Sequence, residues 1–202
     1  MSISLGEKAV INVLQTAWGT FTQNASFFVP DIYGYETQAN QDAILAWLQT
    51  NPKVLIDESF LQQPVQDPQI VVRMASDQEV AERQFIGRSR YVSAAGQYSA
   101  STSVGSTYEI GVHGPNQNLI LWLQMWVKWA LWYNTLTLEQ QYGLYKQRVS
   151  GGPLEPDPNS MQDSVFPFYR RLWLEAEHND TWTMLAGTQV TSASVTLEVS
   201  ND

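Results

Sequence analysis

Residues 107–142 constrain the fold more than any other part of the chain. The stretch begins with tyrosine, isoleucine and valine at alternate positions between Tyr108 and His113, as a half-buried β-strand requires. Residues 114–116, Gly-Pro-Asn, then supply a turn and a helix start, and residues 119–133 are apolar except for one glutamine and one lysine. The pattern predicts a strand that leads directly into a long apolar helix.

Three tryptophans of this helix, Trp122, Trp126 and Trp129, stand at helical spacing and line one side of it. Each aromatic side chain buries roughly 150–250 Å², so this side has to be covered. A membrane span needs about 20 apolar residues, whereas this run is shorter and contains Lys128. We expect a central helix buried nearly all round, with a sheet on one side. The other side is covered either by further helices or by a neighbouring subunit.

Composition narrows the class of protein. The 202 residues suit one domain, and the absence of cysteine excludes disulfides, thiol catalysis and cysteine-ligated metals. The N-terminus lacks the basic start and apolar core of a secretion signal, which predicts synthesis and assembly in the cytoplasm. A net charge of −9 argues against a protein that grips nucleic acid phosphates, although it permits one past which nucleic acid slides. Charged residues make up only 15%, against about 25% in average domains, so much of the surface is neutral and suits protein contacts.

The N-terminal third is predicted to be mainly helical. An apolar stripe over residues 5–18 predicts an amphipathic helix stopped by Gly19, and a second helix is predicted over 41–50. Between them, an aromatic insertion spans about residues 24–38. Its segment 27–35 carries proline and glycine, which indicates an irregular arm or a short edge strand, or else a loop tucked onto the core.

The remaining chain is predicted to supply most of the sheet. A strand is expected at 69–74, residues 77–92 form either a strand or a helical turn leading into one, and 93–106 form a flexible hairpin tip rich in serine. After the central helix the pattern predicts a helix over 138–148 bent near Gly143, and a loop over 150–159. Strands follow at 168–177, 182–185 and 194–199, with a turn at 178–180.

These elements predict a fold class and a domain organisation. We expect a single α+β domain over residues 1–202, with about five mostly antiparallel strands. This sheet packs against the long apolar helix and the amphipathic N-terminal helix.

A search for catalytic chemistry finds no phosphate-binding loop, nucleophile elbow or zinc motif, so no catalytic, cofactor or metal residue is predicted. His113 fits a capping or turn residue better than a base. The cluster Glu175-Ala176-Glu177-His178-Asn179-Asp180 has metal-ligating residue types, but strand alternation puts the two glutamates on one face and His178 on the other.

Two other features suggest protein contacts. An exposed aromatic arm is a docking element, and paired arginines in an acidic chain can meet acidic groups on a neighbour, although solvated charge also explains them. The candidate subunit-contact residues are Phe27, Phe28, Tyr33, Tyr35, Arg88, Arg90, Arg170 and Arg171.

The order of elements resembles that of the tail terminator or tail completion proteins of tailed bacteriophages. The resemblance covers residues 5–199. It rests on the N-terminal helix, the strand at 69–74, a hairpin through 85–87 and the strand that feeds the apolar helix. An aromatic and arginine-containing strand at 166–174, with the sequence FPFYRRLWL, follows later. The segment 27–35 is an insertion relative to the smallest members.

The resemblance implies a structural virion protein with no catalytic activity. Such a protein forms a hexameric ring that closes the tail tube and joins it to the neck, in contact with tail tube, sheath or neck proteins. Genome DNA passes through its lumen without specific binding. Head-closure, tail-tube and baseplate proteins have related shapes and stay open as alternatives. A soluble ligand-binding or hydrolytic domain, with a pocket lined by the indole-rich helix and the 175–180 cluster, is the alternative from another class.

Overall fold

The computed structural model describes residues 3–50, 52–58, 67–79, 89–92, 98–156 and 168–184. Within these ranges the chain forms five helices and six strands. In chain order they are α1 Ile3–Gln23, α2 Ala25–Ile32, α3 Gln38–Gln49, β1 Leu55–Asp57, β2 Gln69–Glu79, β3 Ser89–Val92, β4 Tyr98–Gly114, α4 Gln117–Tyr133, α5 Thr135–Tyr142, β5 Tyr145–Pro156 and β6 Phe168–Met184.

The six strands form one sheet in the order β1-β2-β4-β6-β5, with β3 paired to β4 beside this path. Among the described strands, only the β1–β2 pair is parallel. β4 is the central strand, and it pairs with β6 along its whole length, from Tyr98 opposite Met184 to Gly114 opposite Phe168. The predicted α+β class with a mostly antiparallel sheet is therefore confirmed.

The core lies between one face of the sheet and the helices. Alternate residues of β4 and β6, including Ile110, Val112, Leu172 and Leu174, are buried in one cluster with the apolar faces of α1 and α4. The residues between them, such as Glu109 and Arg171, point to the opposite side, which we call the outer face. This arrangement places the described helices on one side of the sheet and a polar face on the other.

Helix α4 confirms the predicted apolar helix. It begins after Asn116, whose side-chain oxygen accepts a hydrogen bond from the Leu119 N–H at 2.9 Å. Trp126 is fully buried, and the helix packs on β4, β6 and α1. The expectation of burial nearly all round is wrong at the last turn, because Trp132 and Tyr133 are exposed there.

Helix α1 extends beyond its predicted end. It passes through Gly19 to Gln23 because Phe21, which follows the glycine, is buried against Trp18 and Trp126. A glycine inside a helix costs about 1 kcal/mol, which is less than the burial of a phenylalanine contributes.

The aromatic segment 27–35 is neither an irregular arm nor a strand. Most of it belongs to α2, because Phe28, Val29 and Ile32 lie on one helical face and are buried in the core. Pro30 lies inside this short helix, where its missing N–H removes one intrahelical hydrogen bond. A turn that contains Gly34 then leads to α3, which begins three residues earlier than predicted and confirms the second helix.

Strand pairing replaces several predicted loops and turns. Residues 98–106, expected within a flexible tip, belong to β4, whose backbone is paired with β6 and partly with β2 and β3. Small side chains cannot anchor a segment by packing, but backbone hydrogen bonds on both sides can. Residues 93–97 and 80–88 lie outside the described part of the chain. The predicted strand at 69–74 is confirmed and continues as β2 to Glu79.

The predictions for the C-terminal part need three corrections. The helix after α4 ends at Gly143, whose φ of 67° is the left-handed conformation that stops a helix, and β5 starts at Tyr145. Residues 150–156 are strand rather than loop, because a register irregularity between Gly151 and Leu154 accommodates the Gly-Gly-Pro sequence in the pairing with β6. The expected turn at 178–180 is absent from β6, which runs straight through opposite residues 102–104 of β4. The strand predicted at 194–199 lies outside the described residues.

Candidate contact surface on the helical layer

Large apolar side chains are exposed where α2, the end of α4 and the start of α5 meet. We call this the aromatic surface and define it by Phe27, Trp129, Trp132, Tyr133 and Leu136. Phe27 and Trp132 are each 73% exposed, Leu136 is 66% exposed and Tyr133 is 61% exposed, while Trp129 is half-buried. Such a concentration of apolar side chains is typical of a surface that binds another protein.

The rings of this surface are held in place by mutual contacts. Phe28 is buried beneath them, and its ring centroid lies 5.1 Å from those of both Phe27 and Trp129. Trp129 stacks on Tyr133 with the centroids 4.9 Å apart and the planes at 19°. The Trp129 indole N–H donates a hydrogen bond to the Asp31 carboxylate at 3.3 Å. Phe27, Trp129 and Tyr133 are therefore ordered before any partner binds, which lowers the entropic cost of binding.

The predicted aromatic contact residues divide into two groups. Phe27 and Tyr35 are exposed, and Tyr35 is fully so in the turn after α2. Phe28 and Tyr33 are buried, and the Tyr33 hydroxyl donates a hydrogen bond to the Trp122 carbonyl at 2.8 Å. Burial raises the pKa of Tyr33 well above its ordinary value. Phe28 and Tyr33 therefore join α2 to α4, and the exposed pair is available to a partner.

Of the five residues of the aromatic surface, sequence reasoning selected only Phe27 and missed Trp129, Trp132, Tyr133 and Leu136. At helical spacing Trp132 does not fall on the side of the helix formed by Trp122, Trp126 and Trp129. This different position was the only sign in the sequence that Trp132 could be exposed. Leu136 comes at the start of α5, just after the break at Asn134, so the helical pattern of α4 alone could not place it.

Arg171 lies in a chain of polar contacts on the outer face. Its guanidinium donates a hydrogen bond to the Tyr169 hydroxyl and lies 5.1 Å from the centre of that ring. Its Nε is 3.4 Å from Glu109 Oε1, and the Tyr169 hydroxyl donates to Glu155 at 3.0 Å. Burial, and then the hydrogen bond to Glu155, raises the pKa of Tyr169, while the bond to Tyr169 raises the pKa of Arg171. These contacts join β4, β5 and β6 and engage Arg171 within its own chain.

The other arginines predicted as contact residues differ from Arg171 in their contacts. The Arg170 Nε donates to the Gly152 carbonyl at 2.9 Å. The backbone of Arg90 pairs with Ala100 in β3–β4, and Arg88 lies outside the described residues. Arg148, which sequence reasoning did not select, is exposed on the edge strand β5 opposite Glu175.

The acidic cluster at the end of β6 is divided between the two faces of the sheet. Glu177 forms an ion pair with Lys146 at 3.1 Å on the outer face. His178 is buried on the other face, where its Nδ1 lies 3.1 Å from the Ser106 hydroxyl. Within the described ranges, no three potential metal ligands come together.

His113 is not the capping or turn residue that the sequence predicts. It is buried within β4, where its ring stacks on Tyr169 with centroids 5.3 Å apart and planes at 7°. Asn116, not His113, caps α4.

A groove of about 320 Å³ lies between α1 and the β1–β2 edge of the sheet, and its lining includes Trp18, Val54, Ile56 and Ile70. The pocket expected by the ligand-binding alternative would instead combine α4 indoles with the cluster on β6. β4 separates β6 from β2, so the groove and the cluster are not neighbours.

None of the described helices combines the length and the apolar character needed to cross a bilayer.

Comparisons with known proteins give a likeness to solved structures. No model of a known protein family matches this sequence, and no curated protein matches it. Among solved structures, the chain is similar to the PVC sheath/tube terminator of an extracellular contractile injection system in its extended state. The identity is 15%, the TM-score is 0.38, and the match covers 82% of this chain. It spans only 65% of the length of that terminator.

Proposed function

We propose that this chain is a structural, non-catalytic subunit of a phage-type tail. Copies of it assemble into a ring at the head-proximal end of the tail, where the ring terminates the tail tube and joins it to the neck. The aromatic surface is the observation that carries this proposal, because a chain that exposes Trp132 and Tyr133 at the end of α4 and Phe27 on α2 is built to be covered by another protein.

The order of elements supports the same function. An N-terminal helix, the strand β2, the unit of β4 followed by α4, and the aromatic and arginine-containing strand β6 occur in the order on which the resemblance to tail terminators rests. The assignment to a terminator, rather than to another tail or neck protein, depends on that resemblance.

The charge of the chain fits a ring through which DNA passes. With 20 acidic against 11 basic residues, the protein repels phosphates overall and does not hold the genome in its lumen. We expect no binding of duplex DNA at physiological salt.

Native mass spectrometry of the purified chain over a concentration series, with negative-stain imaging of the same samples, tests the proposal. We expect single closed rings, with hexamers as the main species. Rings that stack into long tubes would favour the tail-tube alternative. A strict monomer at the highest concentration would contradict the proposed assembly.

A further inference from the structure

We propose that copies of this chain meet head to tail, with the aromatic surface of one copy packed against the outer face of the next copy around Arg148. This inference rests on the proposed function and identifies the two surfaces that form each contact in the ring. A head-to-tail contact uses two different surfaces of the same chain, and repetition of such a contact closes a ring when the rotation fits.

The aromatic surface is large enough to form the centre of such a contact. From the exposed fractions of Phe27, Trp132, Tyr133 and Leu136, it presents on the order of 500 Å² of apolar area. A stable interface buries about 800 Å² on each partner, so this surface supplies more than half of one side. The remaining area would come from the polar rim.

The charges beside the aromatic surface are acidic. Residues 9–52 contain Asp31, Glu36 and Asp42 but no lysine or arginine. Asp31 borders the surface directly, through its hydrogen bond with Trp129. If two aromatic surfaces met each other, these acidic segments would be brought together, and like charges across an interface are unfavourable.

Lys128 does not offset this acidic character within the surface. A methyl group added to Gly151 on β5 would lie 3.2 Å from the Lys128 Nζ, so the amine is turned towards the sheet. The complementary positive charge therefore has to come from another face of the neighbouring copy.

The outer face around β5 offers that charge. Arg148 is exposed on this edge strand opposite Glu175, and within the described residues it forms no ion pair, whereas Arg171 is already engaged by Tyr169 and Glu109. A guanidinium group stacks well on an indole or phenol ring and also pairs with a carboxylate. Arg148 of one copy can thus contact both the exposed rings and Asp31 of the next.

The test uses the full chain and three single variants, Trp132→Ser, Arg148→Glu and Asp31→Arg, in the same mass-spectrometric concentration series. Lys53→Glu is the matched control, because it makes the same charge change at an exposed position before β1, at the opposite edge of the sheet. Far-ultraviolet circular dichroism checks that each variant is folded. All four altered side chains are exposed. Asp31 differs from the others because it also accepts a hydrogen bond from Trp129.

We expect Trp132→Ser to raise the concentration for half assembly on the order of a hundred-fold, as loss of a central interface tryptophan does. Arg148→Glu and Asp31→Arg should each raise it about ten-fold or more, and Lys53→Glu less than about two-fold. An equimolar mixture of Arg148→Glu and Asp31→Arg should recover assembly. In a ring where the two variants alternate, Asp31 of one variant meets Arg148 of the other, and the introduced Arg meets the introduced Glu, so every contact pairs opposite charges.

The possible results separate the two proposals. Rings that tolerate Arg148→Glu like the control, or a mixture that stays disassembled, would overturn the head-to-tail contact while leaving the structural function intact. If the chain formed a discrete dimer that only Trp132→Ser disrupted, the head-to-tail contact would be replaced by two-fold pairing of the aromatic surfaces. A wild-type chain that stays monomeric throughout would overturn the ring and this contact together.

Discussion

The indole of Trp18 meets that of Trp126 edge to face, with ring centroids 4.9 Å apart and planes at 88°. The contact joins α1 to α4, and Trp18 also lies 6.1 Å from Trp47 on α3. The N-terminal helices α1 and α3 are therefore fixed to α4, which follows much later in the sequence, around one aromatic pair. Edge-to-face pairs contribute about 0.5–1.5 kcal/mol beyond the burial of their area.

We expect Trp126→Ala to lower the free energy of unfolding by about 3–5 kcal/mol, because the side chain is fully buried and its removal leaves a cavity. Urea unfolding, followed by circular dichroism, measures the change. Trp132→Ala is the control in the same helix, and its exposed side chain predicts a change within about 0.5 kcal/mol. Equal losses in the two variants would show that Trp132 is packed in the folded monomer.

Two glycines of α1 are expected to respond in opposite directions to alanine. A Cβ on Gly6 would overlap the side chain of Tyr108, which is buried in the core and cannot move aside, so Gly6→Ala should cost about 1–3 kcal/mol. A Cβ on Gly19 would meet no atom within 4 Å, so Gly19→Ala should stabilise the protein by about 0.4–1 kcal/mol. Thermal unfolding of both variants distinguishes these effects, and a stabilising Gly6→Ala would contradict the close approach.

The sequence was most informative where hydrophobic periodicity and capping agree. The strand around Ile110 and the helix that begins after Asn116 were predicted because alternation changes to helical spacing within a few residues. α1 was found for the same reason, and its end was misplaced because the local cost of Gly19 is smaller than the distant contact that buries Phe21.

The errors occurred where tertiary pairing overrides local composition. Residues 98–106 resemble a loop in composition, yet strands on both sides pair with them. Asn179 and Asp180 are favourable turn residues, yet β4 supplies a partner for each of them and for His178. For the candidate site, the sequence correctly selected the exposed Phe27 and Tyr35, but exposure of Trp132 depends on which neighbours cover α4, and periodicity alone does not give this.

Phe27 and Phe28 are adjacent phenylalanines for which we expect different roles. Phe28 is buried beneath the aromatic surface, so Phe28→Ala should lower the free energy of unfolding by about 3–5 kcal/mol. Phe27→Ala should leave the stability of the monomer within about 0.5 kcal/mol and weaken self-association instead. Urea unfolding at low protein concentration and native mass spectrometry measure the two properties separately. Unchanged assembly in Phe27→Ala would remove α2 from the proposed contact.

Tyr33 should make the stability of the protein depend on alkaline pH. Its phenol is buried and its pKa is raised by that burial, whereas the unfolded chain releases the same proton near pH ~10. The folded state therefore retains a proton that the unfolded state loses. The stabilisation is complete below about pH 10, and above it declines by about 1.4 kcal/mol per pH unit for this tyrosine.

Tyr33→Phe should remove this contribution and reduce the loss of stability above about pH 10. At neutral pH the variant should be less stable by about 1 kcal/mol, because the Trp122 carbonyl loses its hydrogen bond from the hydroxyl. Burial also raises the pKa of Tyr169, so a residual decline is expected. Urea unfolding at a series of alkaline pH values measures the slope, and Tyr35→Phe, at a fully exposed position, should keep the wild-type slope. If Tyr33→Phe and wild type lost stability equally, the phenol of Tyr33 would have to be open to solvent, and α2 could not be packed on α4 as described.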